Sequence, residues 1–165
     1  MATKKGIILT IIILVGIAAG SSIMWILPHQ AEHTATVSGY GNEIESIRER
    51  HLVIMETMQS NLQGLLNKTI SPDDFVTMAQ TSSSQTSSLI SELLGYNPPA
   101  AWSRSYLNYD DALKKYNDYL AESVGLANMV KGGTTASDLS AELSKMSNLL
   151  NETESYILKS NETRP

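Results

Sequence analysis

A chain of 165 residues without a single cysteine holds no disulfide, thiolate metal site, cysteine nucleophile or lipid-modified N-terminal cysteine, so its stability has to come from packing. The formal charge of −5 divides unevenly: residues 1–28 carry Lys4 and Lys5 and no acid (+2), leaving 10 Lys and Arg against 17 Asp and Glu in 29–165 (−7). A domain that acidic repels phosphate backbones, which argues against nucleic acid as a partner.

The first element is a membrane span. From Gly6 to Leu27 the sequence GIILTIIILVGIAAGSSIMWIL runs 22 residues without a charge. As a helix this is roughly 33 Å, enough to cross a hydrocarbon core of about 30 Å. Lys4 and Lys5 precede it, and Pro28, His29, Glu32 and His33 follow. The positive-inside rule therefore predicts a cytoplasmic N-terminus over 1–5, a transmembrane helix over 6–27 with Trp25 at the outer interface, and the rest of the chain outside. Two competitors fit less well. Cleavage of a signal peptide after the small residues Ala18 and Gly20 would leave the apolar SSIMWIL as a new N-terminus, and a pilin-type leader cut at Lys5 and Gly6 usually feeds a strand-rich head, for which no strands are readable. Inside the span Gly16 and Gly20 form G-x-x-x-G with Ala19 beside them, a spacing that lets two helix backbones approach closely in lipid. The expected partners are thus the bilayer and, through this face, a second copy or another membrane protein.

Directly after the span, His29, Gln30, Ala31, Glu32 and His33 spell H-x-x-E-H, the zinc signature of inverted zincin peptidases. No peptidase-sized domain surrounds it and nothing nominates a third ligand. A solvated juxtamembrane segment is the plainer reading, and a copper or zinc ion held by His29, His33 and Glu32 with a partner's help is the metal alternative.

Beyond Pro28 the apolar residues recur at steps of three and four, which predicts helices only. The first stripe is Ile44, Ile47, His51, Ile54, Met58, Leu62 and Leu65, extendable back through Tyr40 and Val37. Ser71, Pro72, Asp73 and Asp74 then supply an N-cap, a proline at N1 and two acids, with Ile70 and Phe75 as a hydrophobic staple, so a second helix starts there. It carries Phe75, Met78, Ser82, Thr86, Leu89 and Leu93 inward and stops at Gly95 before Asn97, Pro98 and Pro99. The third and longest helix aligns Trp102, Tyr106, Tyr109, Leu113, Tyr116, Leu120, Val124, Ala127 and Val130 and ends at Gly132 and Gly133. Thr135 and Asp138 cap a fourth, with Leu139, Leu143, Met146, Leu150, Thr153 and Ile157 on its inner face. Links of three to six residues force each helix to turn back on the last. The fold class is therefore all-α: one N-terminal transmembrane helix, then an up-down-up-down four-helix bundle over 28–160, then a disordered tail over 161–165.

No residue in this bundle is a catalytic candidate and no cofactor motif is present. No G-x-S-x-G surrounds the polar run Ser82 to Ser88, which suits close helix approach or a polar seam that accepts a partner. The absence of any Glu-x-x-His rules out di-iron chemistry of the ferritin kind. His51 on an inner stripe reads as a core-edge histidine with one satisfied hydrogen bond rather than a ligand or pH sensor. Trp102, Tyr106, Tyr109 and Tyr116 form either a core seam, favoured by the seven-residue spacing of three of them, or the wall of a ligand groove. N-x-T sequons at Asn67, Asn151 and Asn161 are open to glycosylation if the bundle lies outside, with Asn67 at a turn and Asn161 in the tail.

The lysine-flanked anchor ending in Trp25-Ile26-Leu27-Pro28, the ISPDDF turn and the stretch PPAAWSRSYLNYDDALKKYNDYL together resemble a group of small, membrane-anchored helical proteins of unassigned role frequent in ammonia-oxidising archaea. The resemblance covers most of the chain and implies an archaeal cell surface. A narrower implication is an accessory subunit of a membrane-bound copper monooxygenase, in a peripheral role. It carries no functional residues across. The expectation is a non-enzymatic surface or complex-accessory protein; the alternative is a small-molecule or metal-binding module akin to four-helix-bundle sensor domains.

Overall fold

A computed structural model describes residues 39–165, and the span over 6–27 with Gly16, Ala19 and Gly20, together with His29, Glu32 and His33, lies outside the described residues. The described chain is four helices: α1 (Gly39–Leu66), α2 (Pro72–Gly95), α3 (Ala100–Lys131) and α4 (Ala136–Glu162). Among the described residues there is no strand, and no helix is long and apolar enough to cross a membrane.

Local chemistry sets each boundary. At the α1 to α2 turn, the carbonyl of Gly64 accepts from the amides of Thr69 and Ile70, and Lys68 takes a left-handed φ of 61°. A Cβ on Gly64 would lie 2.6 Å from Ile70 Cδ1, so glycine is what lets Ile70 fold back over the helix end. The second helix begins as its sequence predicts: Ser71 Oγ accepts from the Asp74 amide at 3.1 Å. Replacing Ser71 by alanine is expected to cost about 1 kcal/mol, read as a lower denaturant midpoint with unchanged slope. Helix α3 ends with Gly133 at φ 69°, its amide bonded to Val130 O and that of Thr134 to Met129 O, the paired bonds of a Schellman turn. Thr135 Oγ1 then caps α4 by accepting from the Asp138 amide.

Cross-helix contacts fix the directions. Arg50 meets Glu92, Ser83 meets Asn117 and Ser105 meets Ser160, so each helix runs antiparallel to the next; Tyr106 meets Tyr40 and Tyr116 meets Ile54, so α1 and α3 run parallel across the bundle. The α3 backbone approaches all three other helices, most extensively α4, while α1 makes its main approach to α2 and a smaller one to α3. Small side chains allow the tight α3 and α4 contact. Ser105 Oγ donates to Ser160 O at 2.8 Å and Ser160 Oγ to Ser105 O at 2.9 Å, an exchange only short side chains reach.

The core follows the expected stripes with informative departures. Ile44, Ile47, His51, Met58, Phe75, Tyr109, Leu113 and Tyr116 are fully buried. Met78, expected inward, is 37% exposed, and Ala79 takes its place because the buried face steps four residues from Phe75 to Ala79 and then three to Ser82, the rest of the stripe staying as expected. Val37 lies outside the described residues. The disordered tail expected over 161–165 is not what the structure has: α4 continues through Asn161 to Glu162, and Arg164 Nη2 reaches Glu45 Oε2 on α1 at 3.0 Å.

Candidate functional site

The most enclosed polar chemistry sits between α1 and α3. His51 projects from the inner face of α1 into the tyrosines of α3, with Nδ1 3.2 Å from Tyr109 Oη. The rings of Tyr109 and Tyr116 approach it edge-on, at centroid distances of 5.9 and 4.9 Å. Tyr116 stacks on Tyr119 and donates its hydroxyl to the Ile54 carbonyl at 3.4 Å. Tyr106 donates to the Tyr40 carbonyl, with Glu43 also in reach. The long α3 tyrosines thus span a gap that the backbones leave open, their rings supplying area and their hydroxyls binding α1.

Burial decides the protonation of this cluster. His51 is held down to about 3, because a charged imidazole would be stripped of water there. Burial likewise pushes the hydroxyls of Tyr109 and Tyr116 up and that of Tyr119 to about 12. At neutral pH all are uncharged. His51 Nε2 has no hydrogen-bond partner among the described residues, so the single satisfied bond expected for a core-edge histidine is what is found, deeper in the core than an edge. Toward the N-terminal end of α1, Glu45 pairs with Arg48 at 2.7 Å and with Arg164 at 3.0 Å, an ionic link at the bundle end in which Arg48 is buried and the other two are partly exposed.

These positions bear on the choice between a core seam and a ligand groove for Trp102, Tyr106, Tyr109 and Tyr116. Tyr109 and Tyr116 are fully buried, so no solvent-open groove runs over them; Tyr106 is buried and Trp102 half-buried against the same core. The four are a packing seam. Asn67 and Asn151 are exposed, whereas Asn161 lies inside α4, half-buried, with its side-chain oxygen enclosed. Among the described residues no group of three or more His, Asp or Glu is placed to hold a metal ion.

An open groove lies elsewhere, on the outside of the α1 and α2 pair. Arg50, Val53, Ile54 and Thr57 form one wall and Ser82, Gln85, Ser88 and Leu89 the other, around a volume of about 530 Å³. Arg50 closes one end through two bonds to Glu92, at 2.8 and 2.7 Å. That contact raises the Arg50 guanidinium and lowers the Glu92 carboxyl, so the pair is firmly ionic and carries no net charge. The sequence stripes missed this site because a groove is where side chains are too small to fill the space. The Ser82 to Ser88 run was the available signal, and Val53, apolar but off the inner stripe and 62% exposed, was the second.

The described residues define an all-α protein of four successively antiparallel helices with an aromatic interior seam and an open lateral groove between α1 and α2. No protein-family model, curated protein or solved structure matches the chain.

Proposed function

We propose that this is a non-enzymatic, membrane-anchored helical-bundle protein, held outside the cytoplasm, that serves as a structural or accessory subunit of a membrane or cell-surface complex. The observation that carries the reading is the uncharged stretch from Gly6 to Leu27 lying only 11 residues (28–38) ahead of a packed bundle. Extended, those residues reach at most about 40 Å, so the first helix stands close to whatever the stretch is embedded in. The ionisable groups inside the bundle serve packing: His51 and the α3 tyrosines are neutral, His51 Nδ1 meets Tyr109, and the Tyr106 and Tyr116 hydroxyls bond the α1 backbone. Leu94, Leu107 and Leu158 face solvent on three helices in the half of the bundle nearest Gly39, offering apolar contacts to a neighbouring membrane protein. Gly16, Ala19 and Gly20 would supply a further contact within lipid. A membrane-bound copper monooxygenase is the complex the family resemblance puts forward.

Extraction of native membranes in mild detergent, with affinity capture of the full chain, tests this. The expected result is elution at a size well above that of the 18.0 kDa chain in its micelle, with other membrane proteins in fixed ratio. Recovery as a monodisperse monomer would contradict the proposal.

A second reading, a small-molecule-binding module on the same anchor, is favoured by the groove between α1 and α2, whose size falls in the range of roughly 300–1,000 Å³ typical of ligand sites.

A further inference from the structure

We propose that the groove between α1 and α2 binds a neutral, mainly apolar small molecule with one hydrogen-bonding head group, of the class of a medium-chain alcohol; this rests on the second of the two readings above. The argument starts from the hydroxyls of α2. Thr77, Thr81, Ser84, Thr86, Ser88 and Ser91 each donate to the carbonyl four residues back, and Ser83 donates to Asn117 Oδ1. Ser82 does neither. It is 6% exposed, lines the groove, and its hydroxyl has no partner among the described residues. Open to the groove rather than sealed beneath it, that hydroxyl is free to bond an occupant, whereas most of its neighbours spend theirs on their own helix.

The remaining lining states what the occupant must be. Val53, Ile54 and Leu89 give an apolar bed, and Val53 stands 62% exposed at its rim. From Arg50 to Thr57 the bed is about 10 Å long at the helical rise of 1.5 Å per residue. The hydroxyls of Thr57 and Ser88 are already given to Val53 O and Ser84 O, which leaves Ser82 and the Gln85 amide as the groups free to meet a head group. The only charges on the lining end are Arg50 and its partner Glu92, which satisfy each other through two bonds while Tyr96 Oη donates to Glu92 as well. An ionic ligand would have to break that pair; a neutral one leaves it intact. An alcohol of about eight carbons matches the length, the apolar bed and the donor-acceptor character of Ser82 with Gln85.

The test uses the full chain in lipid nanodiscs and a diazirine analogue of 1-octanol, with the sites of photolabelling mapped by mass spectrometry. The expected result is saturable labelling of the groove lining, competed by 1-octanol and not by octanoate. Ser82→Ala is expected to weaken competition about 3- to 10-fold, the value of one hydrogen bond. Ser88→Trp, a change at an exposed position that fills the groove, is expected to abolish saturable labelling while leaving the helical circular dichroism and melting temperature unchanged. Equal competition by octanoate would overturn the neutral class. Saturable labelling confined to other parts of the bundle would overturn the groove while leaving a ligand-binding protein, and no saturable labelling at all would overturn both.

Discussion

Replacing Tyr109 by alanine is expected to lower the stability of the bundle by about 3–5 kcal/mol, the range for deleting a buried aromatic ring. Tyr109 is fully buried on the central helix, and its loss opens a cavity between α1 and α3, whose backbones approach each other less than those of the adjacent helix pairs. The same change strips His51 Nδ1 of its hydrogen bond and leaves the imidazole without a partner on either nitrogen. Tyr109→Phe separates the two effects. It keeps the ring and removes only the hydroxyl, and should cost about 1–3 kcal/mol, the penalty for an orphaned buried polar group. Denaturant unfolding followed by far-UV circular dichroism measures both. A Tyr109→Ala loss below that of Tyr109→Phe would mean the seam is not the element that holds α1 to the rest.

Acidification is expected to be nearly as damaging, through His51. The folded protein keeps this imidazole neutral down to about pH 3, whereas in the unfolded chain it takes up a proton near pH 6.5. A depressed folded value means that the contribution is present above pH 6.5. It is lost progressively as pH falls from 6.5 toward 3, because only the unfolded state binds the proton in that window. Over the whole window the loss is on the order of 5 kcal/mol, and between pH 6.5 and 5 about 2 kcal/mol. Burial also raises the Glu142 and Glu154 carboxyls, so it is the comparison with a His51 variant that isolates the imidazole. His51→Leu should therefore be less pH-dependent than the parent between pH 6.5 and 5. If the two slopes agree, the imidazole is not sealed from water and its neighbours do not enclose it.

How much of this was legible in the sequence depended on how many neighbours each helix has. Helix α4 packs mainly on α3, so a single stripe suffices, and Leu143, Met146, Thr153 and Ile157 are buried as the three-four spacing predicted. Helix α3 packs on three helices. Its stripe from Tyr106 to Ala127 was read correctly, yet Ser105, Ala112, Tyr119, Ser123 and Leu126 are buried as well, on faces that periodicity assigns to solvent. A moment-like pattern finds the centre of a buried face and says little about its width. Caps were the most legible features, because Ser71 and Thr135 act within their own first turn and need no tertiary context.

The tail illustrates the opposite limit. Asn161 to Pro165 has no apolar periodicity, and it is held by Thr163 bonding back to Lys159, by Asn108 donating to Thr163, and by Arg164 meeting Glu45, 119 residues away in sequence. The lateral groove was illegible for a related reason: it is defined by what Ser82, Gln85 and Ser88 fail to fill against Val53 and Ile54, and only the relative placement of α1 and α2 reveals that. Conversely, His51 was singled out in the sequence as an odd residue on an inner stripe, and the structure gives the reason, since an edge-on imidazole fills the space between two tyrosine rings while bonding one of them.

The central claim, that residues 6–27 anchor the bundle on the outer side of a membrane, is tested most directly by a membrane-impermeant amine reagent applied to intact cells. Lys68, exposed at the far turn of the bundle, should be modified at once, and Lys4 and Lys5 only after the membrane is permeabilised. Modification of Lys4 and Lys5 on intact cells with Lys68 spared, or recovery of the chain from the medium, would contradict it.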